Sequence, residues 1–296
     1  MQSGGRRGNH MSECYACKGF QFEEIFEKDG YTCSRCIACG LGRIDPLPTA
    51  AVLDNLYQGD YFEGGKSAGY EQSYLATEAI LRNESRELLR WLPKRRGSLF
   101  EIGTGHGFFL DEARRSGYSV SGIEVNDKAV QLCRDALRLP VRKAAIQDLG
   151  NQTETFETVV LLDVLEHLLD PREALRIVYT ITARQGVLLL RVPDFGSRKA
   201  LRLKAAWDKA RPPAHIWYYT EKSLRMLLDE AGFRLVKTRR FGEAGLCSGT
   251  GQSTALLRRM VSSLGPLMMP LRLVPKLLVA LRGDWDNLAL LAVKKS

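Results

Sequence analysis

Short apolar runs alternate with amphipathic stretches through most of the chain. The first run covers residues 98–102, and the stretch at 108–115 that follows it has apolar positions at helical spacing. Further apolar runs lie at 118–125, 156–162, 186–192, 234–240 and 288–294, with helical patterns at 75–95, 127–137 and 220–231. Strands that alternate with helices predict a largely parallel sheet covered by helices on both faces.

Three glycines follow the first apolar run at every second position. They are Gly103, Gly105 and Gly107, and Glu101 precedes them within the run. Glycine lets the backbone approach a ligand more closely than a Cβ would allow. A glycine turn between a strand and a helix is typical of nucleotide-binding sheets. Phe108 occupies the last glycine position of the dinucleotide pattern, so this turn alone is a weak signal.

Acidic residues follow at the distances that a cofactor site requires. Glu124 ends the second predicted strand, 21 positions after Gly103, where a carboxylate can accept hydrogen bonds from both ribose hydroxyls. Asp163 directly follows the strand at 156–162, and Asp148 lies in the connection before that strand. Each acid alone could be an ordinary turn residue, but their order and spacing favour a cofactor site.

These motifs resemble those of the class I S-adenosylmethionine-dependent methyltransferases. The pattern E-x-G-x-G-x-G at 101–107 is similar to their first motif. The stretch D-V-L-E-H-L at 163–168 is similar to the segment after the fourth strand in ubiquinone-type and sugar-modifying members. The resemblance implies that S-adenosylmethionine binds at these residues and that Asp148 contacts its adenine.

Five of the seven cysteines lie between residues 14 and 39. Cys14 and Cys17 form one C-x-x-C pair, whereas Cys33, Cys36 and Cys39 offer two overlapping pairs. Because Gly40 follows Cys39 and can form the tight turn of a zinc knuckle, we select Cys14, Cys17, Cys36 and Cys39 as ligands and leave Cys33 as a strand residue. Four thiolates predict a structural zinc ion, and the alternative is a metal-free cluster of reduced thiols.

The segment after the cysteines extends the resemblance to residues 14–240. It contains Pro46 and Pro48, then Leu-Tyr at 56–57 and Tyr-Phe at 61–62. Methyltransferases of sugar, lipid-linked and polyketide pathways carry a zinc-binding domain followed by such a linker. In that family, tyrosines after the linker close over the cofactor, which assigns that role to Tyr70. The alternative for Tyr70 is an ordinary core or surface aromatic.

Two histidines are candidates for a general base. His167 follows the fourth strand, at the edge where ligands bind to such sheets, and a base assists methyl transfer to a hydroxyl. His215 lies in Arg-Pro-Pro-Ala-His, which resembles the segment that lines the acceptor pocket in the family. The alternative for His167 is that it only packs against the cofactor or orients it.

The fold prediction is therefore an α/β fold with a Rossmann-like, doubly wound sheet of seven strands. A small N-terminal zinc-ribbon module precedes the sheet, and a helical insertion lies before the last strand. The predicted segments are a disordered lead at 1–12, the zinc-binding module at 13–45, a linker and helical lid at 46–96, the cofactor-binding core at 97–240, a basic apolar insertion at 241–284 and the final strand at 285–296.

The net charge of the chain bears on its partners. The formal charge of +9 favours anionic ligands but does not indicate which class of anion binds. Residues 244–283 contain no acid and several arginines among apolar residues, so they either contact an anionic membrane or pack at the substrate cleft or a dimer seam. No run is long enough to span a membrane, and no secretion signal is evident, which favours a cytoplasmic location.

The favoured function is methyl transfer to a small-molecule, glycan or lipid-linked biosynthetic intermediate. A zinc-ribbon RNA methyltransferase is the first alternative, but no motif for base methylation follows the fourth strand, which disfavours nucleic acid as a partner. A cofactor-binding protein without catalysis is the second alternative. The sequence does not indicate the oligomeric state.

Overall fold

The computed structural model describes residues 13–58, 78–94, 96–241 and 285–295. Its strands are β1 (Phe22–Lys28), β2 (Tyr31–Cys36), β3 (Gly42–Asp45), β4 (Ser98–Ile102), β5 (Ser119–Glu124), β6 (Val141–Lys143), β7 (Phe156–Leu162), β8 (Thr182–Pro193), β9 (Trp217–Tyr218), β10 (Phe233–Phe241) and β11 (Asn287–Lys294). Its helices are α1 (Ala50–Gln58), α2 (Glu78–Leu89), α3 (Phe108–Arg115), α4 (Asp127–Asp135), α5 (Pro171–Ile181), α6 (Arg198–Leu203) and α7 (Glu221–Glu230). Short 3₁₀ turns lie at Ile146–Leu149, Leu165–His167 and Lys204–Ala206.

The main sheet has seven strands in the order β10-β11-β8-β7-β4-β5-β6. The strands from β8 to β6 are parallel, whereas β11 runs antiparallel to both of its neighbours, β8 and β10. The predicted seven-stranded, Rossmann-like sheet is therefore confirmed. The predicted lead at 1–12 lies outside the described residues, and so does the predicted insertion at 241–284 except for residue 241.

Helices cover both faces of the main sheet because successive residues of its central strands point to opposite sides. In β7, Val159 and Leu161 pack in one buried cluster, and Val160 packs in the other. The first cluster includes residues of α5 and α7, and the second includes residues of α2, α3 and α4. An uninterrupted apolar strand is therefore what a sheet buried on both faces requires.

The N-terminal strands form a second, antiparallel sheet in the order β1-β2-β3-β9. Its last strand comes from the main part of the chain, because Gly42 pairs with Tyr218 and Arg43 with Trp217. The approach is close, since a Cβ on Gly42 would lie 2.6 Å from a ring carbon of Phe195. The cysteine-rich region is thus built onto the segment that carries His215.

None of the described helices combines the length and the apolar character needed to cross a membrane.

Candidate functional site

The glycine turn lies at the carboxyl end of β4. Gly103 and Gly105 have φ angles of 74° and 49°, which are unfavourable for residues with a Cβ. A Cβ on Gly103 would lie 2.5 Å from Cγ2 of Val164, whereas a Cβ on Gly105 would have no described atom within 4 Å. Gly103 therefore allows close packing inside the protein, and Gly105 leaves the adjacent cleft open.

Glu124 joins the glycine turn to the end of β5. One of its carboxylate oxygens accepts a hydrogen bond from the amide of Gly105 at 2.8 Å. The other accepts from the amides of Val125 and Asn126 at 2.8 and 3.0 Å. The side chain is buried and lines the cleft. The turn and the predicted ribose-binding carboxylate are thus fixed relative to each other.

The walls of this cleft are mainly apolar. They are formed by Ile102, Ile123, Val125, Ile146, Leu162 and Leu168. The polar residues on the wall include His106, Glu124, Gln147, Asp163 and His167. A narrow apolar cleft with a carboxylate at one strand end and an open glycine turn beside it fits a nucleoside-containing cofactor.

Asp148 does not line this cleft. Its carboxylate accepts a hydrogen bond from the amide of Ala145 at 2.8 Å and so stabilises the 3₁₀ turn Ile146–Leu149. Its neighbours Ile146 and Gln147 form the wall instead. The predicted contact between Asp148 and adenine stays a prediction.

Asp163 lines the cleft and is held by an ion pair. Its two carboxylate oxygens accept hydrogen bonds from Nε of Arg191 at 3.2 and 3.0 Å. Arg191 also donates to Glu84 of α2 at 3.2 Å. The guanidinium therefore fixes the carboxylate at the end of β7, and sequence reasoning did not identify Arg191 because it lies in the middle of an apolar strand pattern.

Glu101 lies on the other side of the glycine turn. It lines a smaller cavity together with Ser85, Phe108 and Arg191. Burial and the nearby charge of Glu124 raise the pKa of Glu101 well above its usual range. One of its carboxylate oxygens is buried without a hydrogen-bond partner among the described residues. Glu101 therefore lines a different cavity from Glu124 and Asp163, and the two cavities share Gly103 and Gly105.

The two candidate histidines lie together, although 48 positions separate them in the chain. Their ring centroids are 4.8 Å apart. Nδ1 of His167 lies 2.8 Å from the carbonyl oxygen of Ala214, and burial lowers the pKa of His167 to about 4. Among the described residues, His167 lines the cleft and His215 does not. Tyr70 lies outside the described residues.

The four selected cysteines converge. Their Sγ atoms all lie within 4.8 Å of one another, with 3.5 Å between Cys14 and Cys39 and 3.4 Å between Cys17 and Cys36. Cys33 is fully buried within β2 and does not belong to this group. Amide hydrogen bonds close both turns, from Lys18 to the carbonyl of Cys14 and from Gly40 to that of Cys36.

Glu166 is a further buried residue that sequence reasoning did not select. It lies next to His167 in the D-V-L-E-H-L stretch, and its carboxylate is grouped with the rings of His167 and His215. The signal in the sequence was an acid beside a candidate histidine, but the sequence does not show that this acid is buried.

Comparison with known proteins finds similarity to methyltransferases. The sequence profile of the methyltransferase domain family matches residues 72–238. The chain is 26% identical over 109 residues to the ubiquinone biosynthesis O-methyltransferase of Aeromonas salmonicida, covering 33% of this chain and 46% of that protein. It is 27% identical over 136 residues to the enzyme of the same name from Caulobacter vibrioides, covering 40% of this chain and 52% of that protein. The matches thus span about half the length of these curated relatives.

Solved structures share the fold at low sequence identity. A SAM-dependent methyltransferase from Archaeoglobus fulgidus has a TM-score of 0.53 and 19% identity, over 83% of this chain and all of that one. An S-adenosylmethionine-dependent methyltransferase from Mesorhizobium loti has a TM-score of 0.50 and 15% identity, over 71% of this chain and 96% of that one. With the profile match over more than half of its length, the chain belongs to the methyltransferase domain family and has the fold of its S-adenosylmethionine-dependent members.

Proposed function

We propose that this protein is an S-adenosylmethionine-dependent methyltransferase that acts on a small-molecule, glycan or lipid-linked biosynthetic intermediate. The observation that carries the proposal is the cleft in which Glu124 and the open side of Gly105 meet. The relatives named ubiquinone biosynthesis O-methyltransferase support a small-molecule acceptor.

The described residues suggest how the cofactor would be held. Glu124 would accept hydrogen bonds from ribose hydroxyls, and the apolar wall at Ile123 and Ile146 would pack against adenine. Asp163 would present its carboxylate at the end of β7 while Arg191 holds it in place. The bound cofactor supplies a methyl group on a sulfonium, and the apolar walls exclude water from that group.

His167 is the histidine that we propose to face the acceptor, because it lies on the wall of the cleft. Its Nδ1–H donates to the carbonyl of Ala214 at 2.8 Å, and this hydrogen bond fixes the orientation of the ring. His215 lies behind His167, and we propose that it acts through its neighbour. Both histidines that the sequence suggested therefore keep a proposed role, but only His167 lies on the wall of the cleft.

We further propose that Cys14, Cys17, Cys36 and Cys39 bind a structural zinc ion. A tetrahedral site with Zn–S distances near 2.3 Å places sulfurs about 3.8 Å apart, and the Sγ pairs at 3.4 and 3.5 Å are close to that value. Elemental analysis of the purified protein should find zinc, and Cys17→Ser should lose the equivalent bound by the cysteines. Cys33→Ala is the matched control and should retain it. Equal zinc contents in the two variants would contradict the assignment.

The test of the function is transfer of label from radiolabelled S-adenosylmethionine. The protein is incubated with a host extract divided into small-molecule, lipid, glycan and RNA fractions. Label in any of the first three fractions supports the proposal and identifies the acceptor class. Label in RNA would contradict it in favour of RNA methylation. Cofactor binding without label in any fraction would favour a cofactor-binding protein without catalysis.

A further inference from the structure

A second group of potential metal ligands lies beside the cleft, separate from the cysteines. Glu166, His167 and His215 each offer a ligand atom, and these atoms all lie within 4.8 Å of one another. Glu166 and His167 belong to the 3₁₀ turn after β7, whereas His215 comes from the segment that leads to β9. The amide of Ile216 donates to the carbonyl of Glu166 at 2.9 Å, which fixes the two segments together.

The carboxylate of Glu166 is buried without a hydrogen bond in the described part of the chain. The residue is 1% exposed, and neither of its side-chain oxygens has a partner there. His215 is 5% exposed, and its Nδ1 also has no partner among the described residues. Burial of polar atoms without partners costs free energy, and a binding site for an ion is one of the recognised reasons for such atoms.

The hydrogen bond of His167 is one that metal-binding histidines make. Its Nδ1–H donates to the carbonyl oxygen of Ala214 at 2.8 Å. Metal-binding histidines almost always donate their other ring N–H in this way, and a backbone carbonyl is one of the usual acceptors.

The neighbouring acid does not compete for this role. Asp163 is held by Arg191, so its carboxylate is already paired. Glu166 is therefore the acid available to complete the group. Two imidazoles and one carboxylate form a donor set that suits zinc or iron(II) and leaves coordination positions for water or an acceptor oxygen.

We propose that Glu166, His167 and His215 bind one divalent transition-metal ion at the acceptor side of the cleft. Occupancy of this site is independent of the proposed function, whereas its role rests on that function. A bound metal lowers the pKa of a coordinated water or hydroxyl, so it would activate a hydroxyl acceptor, with His167 as a ligand instead of the proton acceptor.

The test counts metal in the full-length protein. The purified chain is loaded with Zn²⁺, or separately with Co²⁺, dialysed against metal-free buffer and assayed by elemental analysis. The wild type should retain a second equivalent beyond that of the cysteines. Glu166→Gln and His215→Asn should each lose that equivalent and weaken its binding by about 10- to 100-fold or more. Asp163→Asn, a neighbouring acid outside the ligand set, is the matched control and should keep it.

The Co²⁺ spectrum separates the two sites, because thiolate-to-cobalt charge transfer reports the cysteines alone. Circular dichroism and thermal unfolding establish that each variant is folded. A wild-type protein with only the cysteine-bound equivalent would overturn the proposal, and so would folded Glu166→Gln and His215→Asn proteins that keep the second equivalent. Label transfer is measured separately, so failure of the metal site and failure of the methyltransferase proposal give different results.

Discussion

Gly103 shows at the scale of a single residue how closely the glycine turn packs against the segment that carries His167. A Cβ at this position would meet Val164, which directly precedes the turn Leu165–His167. From the sequence we expected Gly103 to let the backbone approach a ligand closely. The structure shows that its neighbour in space is a protein side chain, and that Gly105 is the residue on the open side.

We predict that Gly103→Ala is more destabilising than Gly30→Ala. Both glycines have positive φ, at 74° and 82°, so both substitutions should cost about 1–2 kcal/mol of backbone strain. Only Gly103 has an atom close to the added Cβ, because nothing lies within 4 Å at Gly30. Denaturant unfolding of the two variants measures the difference, and Val164→Ala should partly rescue the first. Equal losses would show that the contact with Val164 is unimportant.

Substitution of Glu124 should weaken cofactor binding. Its carboxylate supports the Gly105 amide and faces the cleft, and a hydrogen bond to a charged group is worth about 1.5–3 kcal/mol. Glu124→Gln should therefore raise the dissociation constant for S-adenosylmethionine by about tenfold or more, as measured by calorimetry. Asp127→Asn is the control, because that exposed acid pairs with Lys143 outside the cleft. A similar affinity of both variants for S-adenosylmethionine would show that Glu124 does not contribute to cofactor binding.

At the scale of elements, α2 is joined to α3 by charges that the helical pattern did not reveal. Arg82 of α2 contacts Asp111 at 2.7 Å and Glu112 at 3.0 Å, and both acids are buried in α3. Burial alone would raise the pKa of Asp111, but Arg82 and Arg114 hold it below its usual value. The sequence predicted a helix over 75–95 and the structure has it at Glu78–Leu89, but the partner of that helix was not predictable from its own residues.

We predict that Arg82→Leu lowers the free energy of unfolding by about 2 kcal/mol. The loss is smaller than for a buried ion pair that is broken completely, because Arg114 still contacts Asp111 and Arg86 still contacts Glu112. Since the folded state lowers the pKa of Asp111 and Glu112, this stabilisation is present above their unfolded pKa values. It is lost as the pH falls through their lower folded values.

Thermal unfolding of wild type and Arg82→Leu should therefore differ at pH 7, and the difference should shrink as the pH falls below about 4 towards the lowered folded pKa values. Arg90→Leu is the control on the same helix, because Arg90 forms an exposed pair with Glu87. This control should change the free energy of unfolding by less than about 1 kcal/mol at either pH. A difference for Arg82→Leu that does not depend on pH would contradict the electrostatic explanation.

At the scale of the whole molecule, the cysteine-rich sheet and the methyltransferase core share structure. Strand β9 forms backbone hydrogen bonds with β3 of the cysteine-rich sheet, but it lies within the methyltransferase core in the order of the chain. The ring of Tyr15 lies 4.7 Å from that of Trp217, and Thr220 donates to the carbonyl of Cys39 at 2.8 Å. The indole of Trp217 in turn donates to Leu168, the residue after His167. We therefore expect that disorder at the cysteines would also disturb the position of His167 in the cleft wall.

We predict that removal of zinc by a chelator destabilises the whole chain. A loss of about 3 kcal/mol would lower the unfolding temperature by roughly 5–10 °C. Trp217 fluorescence should change before global unfolding, because its partner Tyr15 lies between two of the ligands. The variant Trp217→Phe should lack this optical change but keep the thermal shift. A chelated protein with unaltered melting would contradict the structural role of the metal.

The sequence by itself determined the local elements and the order of the cofactor motifs. Short continuous apolar runs predict buried strands, and glycines between a strand and a helix, followed by acids at fixed distances, predict a nucleotide-binding turn. Both signals are carried by residues close together in the chain. The cysteine spacing, together with Gly40 after Cys39, also selected Cys14, Cys17, Cys36 and Cys39, whose Sγ atoms converge in space, whereas Cys33 lies outside that group.

Only the tertiary structure decided which side chains meet across the fold. It placed Asp148 in a turn instead of on the cleft wall, paired Asp163 with Arg191, and brought Glu166 together with two histidines from separate segments. It also gave β9 to the cysteine-rich sheet. These outcomes depend on burial and on contacts between distant parts of the chain, and neither is encoded in the local pattern of apolar and polar residues.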